Sequence, residues 1–324
     1  MLPPSPSLGA SARSLVAYGD DDSELQRCPN LWFSDCGLVI RADKMLFRVS
    51  KDMLAARSPV FADMLSLPQP ADVEMIEGCP VVSLPDAAQE VTVFLRAVFD
   101  PEFFKPYPSK TDYPTIRGIL RLSNKYDVDG LRKRALVHLD SFPTRQTDCC
   151  SWIGTRENLF SFINLCREVS ALWLLPRAFH MCSDLHPQSI ICGSTPPNGT
   201  HTVLNQDVQV AVLAGSLILR TEKMSEFFDF IWHPAKIEGC NTPEACLASR
   251  NRLRRRVEKA KGMFSPLDFP YDLLLERMSA CQVCQKALRK GHKLATRQLE
   301  ESLPEIFCLP SWSELVAMKA SALG

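Results

Sequence analysis

The stretch DCGLVIRADKMLFRVSKDMLAARSPVFADML, from Asp35 to Leu65, limits what this chain can fold into more than any other part of it. Leu38 and Ile40 alternate with Val39 and Arg41. After a polar Ala42-Asp43-Lys44 turn, Met45, Phe47 and Val49 alternate with Leu46, Arg48 and Ser50. A period of two on both sides of a short turn predicts two strands joined as a hairpin. The period then lengthens. Met53 and Leu54 lie one turn beyond Val49, Ser58 offers a helix cap with Pro59 at the first helical position, and Phe61, Met64 and Leu65 share one helical face. Strand, strand, helix, helix in so short a run predicts an α+β fold.

Ahead of this stretch, residues 1–28 carry Pro, Ser and Gly with the acidic run Asp20-Asp21-Asp22, and read as a disordered tail. Leu31, Trp32 and Phe33 are three large apolar side chains that need burial, either on this domain's own flank or on a second copy of the chain. Beyond the Phe61 helix, an acidic loop over 68–80 leads into a short strand, Val81-Val82-Ser83-Leu84. A helix follows, its face made of Val91, Phe94, Leu95 and Val98. Prolines at 101, 106, 108 and 114 mark a surface excursion. Two more helices carry Ile116, Ile119, Leu120 and Ser123, then Leu131, Ala135, His138 and Leu139. The domain ends near Phe142-Pro143.

The ordered residues Asp35, Phe47, Lys51, Leu54, Ala55, Ala56, Arg57, Ser58, Pro59 and Phe61, with LRLSNKYDVDGLRKRALVHL over 120–139, resemble a BTB (POZ) domain. One position departs from that pattern: Ser50 stands where the family usually has His, and a hydroxyl at a helix N-terminus can serve as a cap there. The resemblance implies that residues 29–145 form a small sheet flanked by helices and that the domain self-associates. It also implies docking to a cullin-type scaffold of a ubiquitin ligase, with a second domain receiving a substrate protein. Asp35 and Lys51 match the family's charged dimer pocket, although an Asp capping a turn and a solvated Lys account for them equally. Met75-Ile76-Glu77 matches its hydrophobic-x-Glu docking tripeptide, and an exposed loop Glu is the plainer reading.

From 155 to 324 the pattern is mainly α-helical. Leu159, Phe162, Cys166, Val169 and Trp173 form an apolar stripe, with Phe160, Ile163, Arg167 and Ser170 on one edge, and Pro176 interrupts it. Ala178 to Asp184 read as a short helix, Gly193 to Gly199 as a turn-rich break, and Asp207 to Leu219 as a buried helix. Phe227, Phe228, Ile231 and Trp232 make an aromatic patch. With its late cysteines and its LP-x-x-F-x-L-P-x-W ending (Leu303 to Trp312), this half resembles the helical region of BTB proteins of basidiomycete fungi.

Chemistry is sparse. The 324 residues carry 37 basic and 37 acidic side chains, so no global field draws the chain to nucleic acid or an anionic membrane. The apolar run Val208 to Leu219 is too short to span a bilayer, and the first residues lack the pattern of a signal peptide. These features predict a cytoplasmic or nuclear protein whose thirteen cysteines are buried thiols or metal ligands. Cys240, Cys246, Cys281 and Cys284 have the makings of one structural zinc site, two residues separating the later pair. The competing reading is four small buried hydrophobes. His292, in Lys-Gly-His-Lys, is either a substitute ligand or a surface side chain. Cys281-Gln282-Val283-Cys284 sits inside a helical pattern, which argues against a redox pair. Arg250, Arg252, Arg254, Arg255, Arg256, Lys259 and Lys261 read as a solvated helix face. No Gly-rich phosphate loop, nucleophile elbow or paired-His motif appears, so no catalytic residue and no organic cofactor site is assigned. The expectation is a self-associating adaptor; the alternative is a nuclear transcription or chromatin regulator.

Overall fold

The computed structural model describes residues 25–68, 72–141, 158–195, 200–233, 236–259, 266–268, 271, 275 and 278–324. It is mixed α and β, in two compact units. The first comprises Met1–Lys51 and Gln69–Ala88, the second Asp52–Pro68 and Gln89–Gly324.

The first unit is a five-stranded sheet: β1 (Gln26–Trp32), β2 (Leu38–Ala42), β3 (Met45–Val49), β4 (Met75–Ile76) and β5 (Cys79–Leu84), in the order β1-β3-β2-β5-β4. The expected hairpin is present, β2 and β3 pairing antiparallel from Leu38↔Val49 to Ala42↔Met45. Asp43 turns it with φ 48°, a left-handed conformation that Asp tolerates. Its carboxylate accepts a hydrogen bond from the Ala88 amide at 2.7 Å. β5 joins β2 in parallel, so the central strand has partners on both edges. Val39, Leu46 and Cys79 form a buried cluster on one face, with Trp32, Ile76 and Val81 packed on it. Leu38, Ile40, Phe47 and Val49 project from the opposite face and are also buried.

Two strands depart from the sequence reading. Gln26 to Cys28, assigned above to the tail, belong to β1, which runs parallel to β3. Its buried residues, Cys28 and Leu31, are three apart because the register shifts between Arg27 and Trp32, so no alternation marks it. Met75 and Ile76, assigned to a loop, pair with Pro80 and Cys79. Glu77 (φ 49°) and Gly78 (φ 74°) connect them, both in the left-handed region that a tight two-residue hairpin requires.

The second unit is helical, and two of its helices, α1 (Lys51–Arg57) and α3 (Ala88–Phe99), begin one residue before it. Between them lies α2 (Pro59–Ser66), which starts as the sequence predicts: the Ser58 hydroxyl accepts from the Phe61 amide at 3.0 Å and donates to the Tyr126 carbonyl. Phe61 stacks on Tyr126 with centroids 4.6 Å apart, and Phe94 of α3 meets the same ring at 5.8 Å. Each such fully buried ring contributes about 1.5–3 kcal/mol. α4 (Tyr113–Lys125) and α5 (Asp129–Asp140) bury the predicted faces. The proline-rich excursion before them is not wholly at the surface, since Phe104 is buried against the His138 ring.

Residues 142–157, where the two predicted domains meet, lie outside the described residues; the helices on either side share one unit. α6 (Asn158–Glu168) buries Phe160 and Ile163 as deeply as its predicted stripe, so it is enclosed on more than one face. Pro176 stands in the first turn of α7 (Leu175–Ser183), where its missing N–H costs nothing, and so begins a helix instead of interrupting one. α8 (Pro187–Cys192) was not anticipated. α9 (Gln206–Ile218) is half-buried, not wholly buried: Val208, Val212 and Gly215 face inward while Val210 and Leu217 are exposed. Gly215 is needed there, because a Cβ would lie 2.4 Å from the Phe307 ring. Phe307 also meets Phe179 edge-on at 5.8 Å. The short α10 (Met224–Phe227) and α11 (Asp229–Trp232) precede α12 (Pro243–Lys259), α13 (Gln282–Ile306) and α14 (Trp312–Leu323). No described helix is long and apolar enough to cross a membrane.

Candidate metal centre

Two helix starts converge to make the site. Cys240 closes a turn in which Gly239 takes φ 74° and the Cys240 amide donates to the Ile237 carbonyl. Cys246 sits on the first turn of α12, its amide held by the Thr242 carbonyl at 2.9 Å. Cys281 is the N-cap of α13, and Cys284 lies in that helix's first turn. The Cys-x2-Cys pair is therefore at a helix N-terminus, not inside a helix as the sequence pattern indicates. Cys281 itself is extended (φ −63°, ψ 158°), and its amide is turned toward the Cys246 sulfur, 3.3 Å away.

The four sulfurs lie within 4.8 Å of one another, Cys281 and Cys240 at 3.7 Å. Zinc–thiolate bonds of about 2.3 Å in a tetrahedron require sulfurs about 3.8 Å apart, so the set needs only a small contraction to close on an ion. Cys246 and Cys284 are buried, Cys240 and Cys281 half-buried. All described cysteines are free thiols.

The environment separates the four thiols. Cys281 is brought down to about 6, chiefly by the Cys284 backbone N–H that faces its sulfur across the first helical turn, a contact looser than a cap hydrogen bond. Cys246 is lowered by the Thr242 hydroxyl, 3.2 Å from its sulfur. Cys240 and Cys284 are raised by desolvation. Four sulfurs this close do not all ionise unaided, and a divalent cation is what stabilises them together as thiolates. Four protein ligands leave no open coordination position, the arrangement of a structural site. A hollow of 220 Å³ borders Cys240, Cys246 and Cys284 and is also lined by Lys236 and Arg250.

His292 is neither a ligand nor a free surface side chain. It packs among Tyr271 (4.3 Å between centroids), Phe227 and Phe230. Arg250 is not on a solvated face. It is buried, its Nε donating to the Ile231 carbonyl at 3.0 Å, while Arg252, Arg254, Arg255 and Arg256 are exposed as expected. Lys261 lies outside the described residues.

The expected protein-binding residues are divided. Leu31 is buried and Trp32 half-buried within the sheet unit, leaving Phe33 40% exposed. Asp35 and Lys51 are both exposed, Asp35 accepting from the Ser34 hydroxyl. Met75 is 56% exposed on β4. Glu77 is engaged within the unit: Arg27, which also covers the Trp32 ring, reaches it at 2.5 Å and Arg48 at 3.1 Å. Sequence reasoning passed over both arginines, since nothing local links them to Glu77.

No family model matches the chain, and no curated protein matches it.

Proposed function

We propose that this chain is a non-catalytic interaction protein of BTB type, self-associating through its sheet unit, with a helical region held by one structural zinc on Cys240, Cys246, Cys281 and Cys284. The observation that carries the BTB reading is the order of elements from Leu38 to Asp140. A hairpin, two helices, a strand parallel to the hairpin's first strand and three helices succeed one another, with Ser58-Pro59 capping the second helix. The four converging thiols support the zinc reading, and their free state fits a reducing compartment, the cytoplasm or nucleus. With Leu31 and Trp32 committed inside the protomer, the self-contact falls to Phe33, Asp35 and Lys51. Met75 and Glu77 are the positions for a cullin-type scaffold, which must compete with Arg27 and Arg48 for the carboxylate.

Sedimentation of the full chain over a range of concentrations tests the reading, with Phe33→Ser as the perturbation. A dimer that Phe33→Ser shifts toward monomer is expected. A wild-type chain that stays monomeric at high concentration refutes self-association, and failure to capture a cullin scaffold removes the ligase role alone.

A further inference from the structure

Between residues 243 and 299 the chain carries thirteen Lys and Arg against five Asp and Glu, an excess hidden by the neutral whole. On α13 that excess is ordered. No acidic residue occurs from Gln282 to Leu299, and Lys286, Arg289, Lys290 and Lys293 fall at i, i+3, i+4 and i+7 on one helical face. All four are exposed, and none has an ion pair among the described residues. Their neighbours differ: Arg297 pairs with Glu301 at 2.9 Å, and Arg254 of α12 with Glu258 at 2.8 Å. A surface groove of 650 Å³ follows this face and is lined by the four cations with Gln282 and Gln285.

We propose that this face of α13 binds the phosphodiester backbone of a nucleic-acid duplex. Four like charges within about 10 Å of helix repel one another, and a polyanion relieves that repulsion. Duplex DNA presents one negative charge per about 1.7 Å of axis, enough to meet every one of them. Gln282 adds a donor for a phosphate oxygen, the Gln285 amide being held by the Ala280 carbonyl at 2.9 Å, and nothing on the face is arranged to read bases, so recognition is independent of sequence. A membrane surface fits less well. The large apolar side chains exposed on α13 are Val283 and Leu294, about 16 Å apart along the axis, too sparse for an inserting face. This proposal stands apart from the BTB reading.

The test uses the full, metal-loaded chain and a labelled duplex DNA of about 16 base pairs, followed by fluorescence anisotropy between about 50 and 200 mM salt. Four phosphate contacts give a slope of about −3.6 in log K against log salt, a loss of about 150-fold over that range. Lys286→Gln with Lys290→Gln, and separately Arg289→Gln with Lys293→Gln, should each reduce the slope by about half. Arg252→Gln with Arg255→Gln on α12 should leave it unchanged. Duplex RNA of the same length, if bound with the same slope, supports the backbone assignment equally. Absence of salt-dependent binding overturns the proposal. So does binding that survives both α13 variants, or preference for vesicles of phosphatidylserine and phosphatidylcholine over the duplex.

Discussion

Replacing Cys281 and Cys284 together by Ser removes half of the proposed zinc ligands while leaving the volume of both side chains nearly intact. The cost follows from chain geometry. An ion held by Cys246 and Cys281 closes a loop between residues 35 positions apart. Treated as a cross-link, that closure removes about 4 kcal/mol of unfolded-chain entropy. In a region of roughly 150 to 250 residues each kcal/mol moves the melting temperature by about 2–4 °C, so the double variant should melt about 8–16 °C below wild type. Metal analysis of the purified chain should give about one zinc per molecule, absent from the variant. Thermal melting followed by far-UV circular dichroism, with and without a chelator under reducing conditions, measures the rest. Zinc-free wild-type protein, or a melting temperature that neither chelator nor substitution lowers, would refute the reasoning and leave the four thiols as packing groups.

Ser58→Ala should destabilise by about 1–3 kcal/mol in urea, since it removes a helix cap and the buried hydrogen bond to the Tyr126 carbonyl. A loss under about 1 kcal/mol would contradict the double role of that hydroxyl. In metal-stripped protein, alkylation mapped by mass spectrometry should show Cys281 reacting half-maximally near pH 6, and buried Cys182, pushed up to about 12, remaining protected. The linkage has a definite sign: Cys281 is lowered below the unfolded thiol value of about 8.5, so its thiolate favours the folded state above that pH. That contribution is lost as pH falls through about 6. Half-reaction near 8.5 would show that the helix start does not act on this sulfur.

Elements whose own side chains carry the burial signal were legible in the sequence. The β2–β3 hairpin, the Ser58 cap and the faces of α3, α4 and α5 all follow from local periodicity. β1 was not, because its register shift erases alternation and its existence depends on β3. Proline was legible as a boundary at Pro176 but not as to side, since the same residue ends one helix or starts another depending on what precedes it. The cysteine pairs were readable as ligand spacing, whereas their meeting depends on where α12 and α13 begin. Arg250 shows the limit of reading a basic run as one face: among the described residues of the run the others are exposed, while Arg250 turns inward to a carbonyl. The α13 stripe had a signal in plain view, eighteen residues without an acid, which the whole-chain charge balance concealed.

Gly215 and Phe307 also set an order of events. The ring that occupies the notch over α9 is encoded ninety-two residues after the glycine that makes room for it. At roughly 5–20 residues per second of synthesis, the notch stands open for about 5–18 s before its occupant exists. During that interval α9 has its inward face partly uncovered beside an outward face already bearing Val210 and Leu217. A nascent chain of this protein therefore carries an incompletely covered helix at its middle until Phe307 arrives to fill the notch.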